Sequence, residues 1–263
     1  MSLPPSLHRL IDSSAITPRY PPTSIFNEGW LVRLVMDWFS QHPASGHPLH
    51  FLSGSTWFSD GLIATPFLPR FRNDPLGEGR AHTSAVFGHI AISRENKVDL
   101  VTGTELPQFC VIDARLMNDP NPSQRGFPGF DPSARLVACT AETLRRARIR
   151  PEECDSLALF LVAPQERLDR QEFDTAFNLN TIQRKVQRRV KAYEGEKDAF
   201  YREWFLPTLE RIELELLPWE VVLEEIGAQD PTAGQDIFAF YDACLELNHP
   251  SPAMRDSADK GLL

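Results

Sequence analysis

Residues 157–163 read LALFLVA, an apolar run with no polar interruption. A strand with one wet face alternates apolar and polar side chains, whereas a strand covered on both faces reads as continuous apolar sequence. The run therefore predicts a buried strand in a sheet with helices packed on either side.

The flanking sequence supplies those helices. Leu31, Leu34, Val35 and Trp38 recur at i, i+3, i+4 and i+7, and His42-Pro43 stops the pattern, so a helix is expected from about residue 28 to residue 41. A second begins at Asp131-Pro132, an N-cap followed by proline in the first helical position. Ala134, Val137, Ala141 and Leu144 form its inner stripe, and Arg145, Arg146 and Arg148 close it with the charge that suits a helix C-terminus. Strand-like segments occupy 56–67, 85–93, 97–102 and 109–117, and a short strand, RIELELL, follows residue 210. Helices are expected near 180–193, 197–211, 219–226 and 235–247. The order predicts an α/β class: a mixed central β-sheet flanked by helices, with extra helices at the C-terminus. Prolines crowd residues 1–24, which read as an extended arm. Residues 25–248 read as one domain and 249–263 as a loose tail.

Composition narrows the functional classes. Of 263 residues, 36 are acidic and 27 basic, a formal net charge of −9, which weighs against a chain that coats nucleic acid through its overall field. No apolar run approaches the roughly 20 residues that span a bilayer, and MSLPPSLHRLID lacks the basic start of a secretory signal. Cys110, Cys139, Cys154 and Cys244 lie far apart with no C-x-x-C spacing, which fits reduced, buried thiols in a cytoplasmic protein. There is no phosphate-binding glycine loop and no G-x-S-x-G elbow, and His42, His47 and His50 read as a polar loop between prolines.

Three carboxylates and an arginine carry the chemical signal. Alternation along FCVIDARL puts Phe109, Val111, Asp113 and Arg115 on one face of a strand and Cys110, Ile112, Ala114 and Leu116 on the other. If TGTELPQ is a hairpin loop, Asp99 faces Asp113 across the ladder. Two opposed carboxylates repel unless a cation lies between them, and a hard divalent ion, Mg²⁺ or Mn²⁺, suits oxygen ligands. The bland alternative is a surface Asp and an exposed Asp–Arg pair on a half-buried strand. Glu28 shares the Leu31/Val35 stripe, so it either meets a partner or metal on a buried face or sits in a first turn that welcomes negative charge.

The segments NEGWLVRLVMDWF, HTSAVFGHI, QFCVIDARLM, FDPSARLVACTAETLRRA and FLPTLERIELELLPWEVVL, in this order, resemble the PD-(D/E)XK nuclease-like superfamily, and more closely a bacterial group within it. The resemblance covers most of residues 25–248. It implies a restriction-endonuclease-like core and a metal-dependent nucleic-acid phosphodiesterase, in a setting of bacterial defence or DNA repair. It maps the family's D/E-x-K triplet onto Asp113, Ala114 and Arg115, so arginine stands where the family has lysine. It also sets Ser84 where an aspartate is expected and Pro132 where a glutamine is expected.

Two functions follow. In the first, Glu28, Asp99 and Asp113 hold Mg²⁺ or Mn²⁺ for phosphodiester hydrolysis, weakened or lost through the altered positions, with Arg115 neutralising charge on the phosphate. In the second, the fold is a non-catalytic interaction or nucleic-acid-binding module. The basic stretch Arg184, Lys185, Arg188 and Arg189 is the candidate contact to DNA or RNA, against the bland reading of a solvated helix face.

Overall fold

The computed structural model describes residues 21–43, 46–117 and 130–248. The arm and tail expected at 1–24 and 249–263 lie largely or wholly outside them.

The first helix, α1 (Glu28–Gln41), starts where the side chain of Asn27 accepts the Trp30 N–H at 3.1 Å. It buries Leu31, Val35 and Trp38 from the expected stripe, together with Val32, Met36 and Phe39. Five strands form the central sheet: β1 (Thr56–Ser59), β4 (Ala85–Gly88), β7 (Gln108–Ala114), β8 (Ser156–Ala163) and β9 (Glu213–Pro218). They lie in the order β1-β4-β7-β8-β9, with β1/β4 and β4/β7 antiparallel and β7/β8 and β8/β9 parallel. This is the mixed α/β arrangement that the order of elements predicts. The apolar run forms β8, which pairs on both sides and is buried along nearly its whole length.

Helices cover both faces of this sheet. On one face lie α2 (Pro132–Ala147), α4 (Leu179–Lys191) and a helix over 198–211, α5, whose middle turn, Tyr201–Phe205, is wound more widely. A five-residue helix, α3 (Gln165–Asp169), follows β8. On the other face lie α1, α6 (Trp219–Gln229) and α7 (Pro231–Asn248). Alternation along β7 divides the two cores: Phe109 and Val111 face α2, while Cys110, Ile112 and Ala114 face α1 and α6.

The remaining strands correct one expectation. Two small antiparallel pairs stand apart from the main sheet: β2 (Leu62–Ile63) with β3 (Ala81–His82), and β5 (Ile90–Ile92) with β6 (Val98–Leu100). Residues 97–102 therefore do not form a hairpin with β7. Asp99 lies opposite Ala91, and β7 pairs with β4 instead. The cause is a break at Gly88. Its φ is +133°, and a Cβ there would stand 2.0 Å from the Gln108 carbonyl oxygen, so only glycine allows β7 to approach so closely. His89 then bonds across that approach, its Nδ1 accepting the Gln108 N–H at 2.9 Å. Beyond it the chain leaves the sheet and folds back on itself through a tight turn, where the Asn96 N–H donates to the Ser93 carbonyl. A four-residue reversal closes at lower entropic cost than the longer 102–108 loop.

Candidate functional site

The carboxyl end of β7, where it passes between β4 and β8, gathers the polar side chains. Asp113 is the penultimate residue of β7 and is 8% exposed. Arg115, one residue past the strand, turns back on it. Its Nε lies 2.9 Å from Oδ1 and its Nη2 donates to Oδ2 at 3.0 Å, a two-point, fork-to-carboxylate pair. Burial pushes the Asp113 carboxyl up from its usual range, while the Arg115 guanidinium pulls it down. The pair is buried, which corrects the bland reading of an exposed Asp–Arg couple on a half-buried strand.

Glu28 joins from α1. Its carboxylate accepts the Leu116 N–H at 2.7 Å, tying the first turn of the helix to the chain leaving β7. Burial raises its pKa to about 7, against the opposing pull of that N–H and of the Arg115 and Arg167 charges. Both readings for Glu28 apply: it stands in the first turn of α1, and its half-buried carboxylate has a partner, a backbone amide. Arg167 in α3 grips the same residue from the other side, donating to the Leu116 carbonyl at 2.9 Å and to Glu172 at 2.7 Å, with its guanidinium 4.9 Å from the Phe173 ring.

Ser84 brackets Asp113 from β4's side. Its N–H donates to the Ile112 carbonyl, and its Oγ accepts the Ala114 N–H at 2.9 Å. Asp131 caps α2 by accepting the Ala134 N–H at 3.0 Å and pairs with Lys185 of α4, and Pro132 follows in the first turn as expected. Each of the three carboxylates thus has its own partner: the Leu116 N–H for Glu28, Arg115 for Asp113 and Lys185 for Asp131.

Asp99 is not among them. It pairs with Arg146 at 3.9 Å in the last turn of α2, whereas Asp113 feels Asp131 at that helix's first turn. The 16-residue helix spans about 24 Å, so Asp99 and Asp113 lie near opposite ends of it, beyond the reach of one or two shared ions. Among the described residues, no group of three or more His, Cys, Asp or Glu side chains is placed to hold one metal ion. The Mg²⁺ or Mn²⁺ site expected from Glu28, Asp99 and Asp113 therefore loses its Asp99 ligand.

The basic stretch also divides. Arg189 is 3% exposed, donates to the Leu76 carbonyl at 2.7 Å and lies 5.0 Å from the Phe67 ring. Lys185 is committed to Asp131. Arg184, Arg188 and Lys191, at i, i+4 and i+7, form the exposed stripe.

Sequence reasoning missed Arg167 and a second polar group beside β1. There Asp60, at φ 56°, pairs with Arg33 of α1, lies 3.6 Å from His82 and donates its N–H to the Ser84 carbonyl. Asp60-Gly61 is a turn dipeptide, and that was its only local signal. Arg167 had none, because its link to the end of β7, the Leu116 carbonyl, lies 51 residues away. Compared with protein-family models, with curated proteins and with solved structures, the chain matches none of them.

Proposed function

We propose that this chain is a nuclease-like domain whose hydrolytic metal centre has been replaced by an internal ion pair, so that it serves as an interaction module. The observation that carries the reading is the two-point Asp113–Arg115 pair. A carboxylate that already receives both arms of a buried guanidinium has little need of a divalent cation, and Arg115 is too basic to act as a proton acceptor. The succession of α1 with Glu28, β7 with Asp113, α2 and the buried β8 supports the nuclease-like part, because the resemblance implies these four in this order, although the Asp99 strand, β6, stands outside the main sheet. With β4 beside β7, Ser84 takes the place that Asp99 was expected to hold.

The test is cleavage of plasmid and single-stranded DNA in millimolar Mn²⁺ or Mg²⁺, alongside thermal melting in the same ions. Cleavage should stay at background, unchanged by Asp113→Ala, and the melting temperature should not rise with metal. Metal-dependent cleavage that Asp113→Ala removes would overturn the proposal.

One observation favours the second reading, a weak phosphodiesterase. A Glu28 carboxyl titrating near neutrality could exchange a proton with a water at pH 7. Loss of residual cleavage in Glu28→Gln with Asp113 intact would select it. Under either reading, the surface offered to DNA or RNA phosphates is the Arg184, Arg188 and Lys191 stripe, and replacing Arg184 and Arg188 with alanine should flatten the salt dependence of any binding.

A further inference from the structure

The formal charge of the chain is concentrated in one stretch. Nine acidic residues and no Lys, Arg or His lie between residues 212 and 248, while the other 27 acids are matched by 27 bases elsewhere. The stretch folds as β9, α6 and α7. Among the described residues, none of those nine carboxylates forms an ion pair. Glu220 and Asp230 spend their oxygens on internal hydrogen bonds, Glu220 to the Gln165 N–H and the Tyr241 hydroxyl, and Asp230 to the first amides of α7. Glu224, Asp236, Asp242 and Glu246 are exposed.

Two of these carboxylates, Glu224 and Asp242, lie along an apolar groove. A Cβ on Gly234 would come within 2.3 Å of the Gly227 Cα, so the backbones of α6 and α7 touch near their connecting turn. Beside that contact runs a groove of about 460 Å³ with Leu223, Phe238 and Ala239 in its lining and Glu224 and Asp242 along it. Phe238 is 38% exposed, and Val221, on the outer side of α6, is 44% exposed. Of the two, Phe238 lines the groove, so a partly exposed aromatic ring lies there beside two carboxylates that have no cationic partner among the described residues.

We propose that the groove between α6 and α7 docks a cationic amphipathic segment of a partner protein. Its apolar side would lie against Phe238 and Ala239, and its lysines or arginines would meet Glu224 and Asp242. Charge selects this occupant. Nucleic acid and an anionic bilayer would both be repelled by a groove lined by two carboxylates and no basic residue. A second copy would bring the same nine negative charges. Residues 1–20 and 249–263 carry too few basic residues to supply the match, since Arg9 and Arg19 stand beside Asp12, and Arg255 and Lys260 beside Asp256 and Asp259. A helix laid in such a groove reads its partner through anchors at i, i+3, i+4 and i+7. The inference stands whether or not the Asp113 site acts on nucleic acid.

The experiment is fluorescence anisotropy with a labelled Leu/Lys/Arg amphipathic peptide of about 18 residues, five helical turns, and a scrambled peptide of identical composition. The amphipathic peptide should bind roughly tenfold tighter than the scrambled one, and its affinity should fall as salt rises. Phe238→Ala, and separately the pair Glu224→Gln with Asp242→Asn, should each weaken binding about tenfold at an unchanged melting temperature. Equal affinity for the two peptides would reduce the effect to bulk charge and overturn the proposal, as would variants that bind like the parent. A dimer in sedimentation that Phe238→Ala dissolves would give the groove to a second copy and would also overturn it.

Discussion

Arg115 folds back onto Asp113, two residues before it, and delivers both arms of its guanidinium to the two carboxylate oxygens, at 2.9 and 3.0 Å. The side chains are only 12% and 11% exposed. The end of β7 is therefore a closed electrostatic unit and not an open acidic pocket.

That closure sets the cost of breaking it. Arg115→Ala would leave a buried carboxylate without its cation, which typically costs about 3–5 kcal/mol. Replacing both partners, as in Asp113→Leu with Arg115→Met, removes the charge as well as the pair and should be far milder. Urea unfolding of the two variants at pH 7 checks the contrast. The single variant should regain part of its stability at acid pH, where the Asp113 carboxyl takes up a proton. Equal losses in the two variants would mean that the pair contributes through packing and not through charge.

Glu28 predicts a slope of stability with pH. Its ordinary pKa is 4.5 and its folded value is about 7. Between those values the folded chain holds a proton that the unfolded chain has released, so stability falls as pH rises from about 4.5 to 7 and levels off above that. A shift of this size corresponds to at most about 3 kcal/mol. Glu28→Gln keeps an oxygen to accept the Leu116 N–H but removes the titration. It should be more stable than the parent at pH 8 and indistinguishable at pH 4. Parallel stability curves for parent and variant from pH 4 to pH 8 would contradict this account.

The basic helix α4 yields opposite expectations for neighbouring arginines. Arg189 is buried between Phe67 and Phe130, at 5.0 and 5.3 Å from the two rings, and holds the Leu76 carbonyl. Truncating it to alanine removes packing, stacking and a charged hydrogen bond, and should cost about 2–4 kcal/mol. Arg184→Ala and Arg188→Ala, on the exposed side, should each stay within about 0.5 kcal/mol of the parent. Thermal or urea melts of the three variants separate them, and a destabilised Arg188→Ala would refute the division of the stripe.

What could be read from the sequence was whatever local chemistry decides. The α1 boundaries followed from the apolar period and the His42-Pro43 stop. The start of α2 followed from Asp131-Pro132, and the double-sided burial of β8 from LALFLVA. The face assignment along β7 was legible for the same reason, because a strand alternates whatever its neighbours are. The pairing of Asp99 was not legible. It turned on Gly88, where a carbonyl of another strand approaches so closely that the chain must leave the sheet, and on a turn at 93–96 that closes sooner than the longer loop. Register depends on such encounters between distant segments. The same holds for Arg167, whose place beside the end of β7 comes from meeting the Leu116 carbonyl, 51 residues away. The reach of Arg115 back to Asp113 was the legible part of the site, since both lie on one face two residues apart.

The placement of Ser84 leads to the most demanding expectation. Its hydroxyl accepts the Ala114 N–H and its N–H binds the Ile112 carbonyl, so residue 84 flanks Asp113 from the neighbouring chain segment. A carboxylate introduced there by Ser84→Asp would meet Asp113 directly, and Arg115→Lys would exchange a fork that occupies both Asp113 oxygens for a compact ammonium that leaves one free. Two facing carboxylates with Glu28 close by form an oxygen set that favours a hard divalent ion and repels itself without one. The double variant should therefore melt at a lower temperature than the parent in metal chelator and gain stability in millimolar Mn²⁺, whereas the parent should not respond. It should also cleave plasmid DNA in Mn²⁺ at a rate roughly tenfold or more above the parent, because a bound ion both polarises the phosphate and acidifies a water. Adding Asp113→Ala should abolish the metal-dependent gains, while adding Asp99→Ala should leave them intact, since Asp99 belongs to the far end of α2. A double variant indifferent to Mn²⁺ in both melting and cleavage would show that these two substitutions do not turn the end of β7 into a metal-dependent nuclease site.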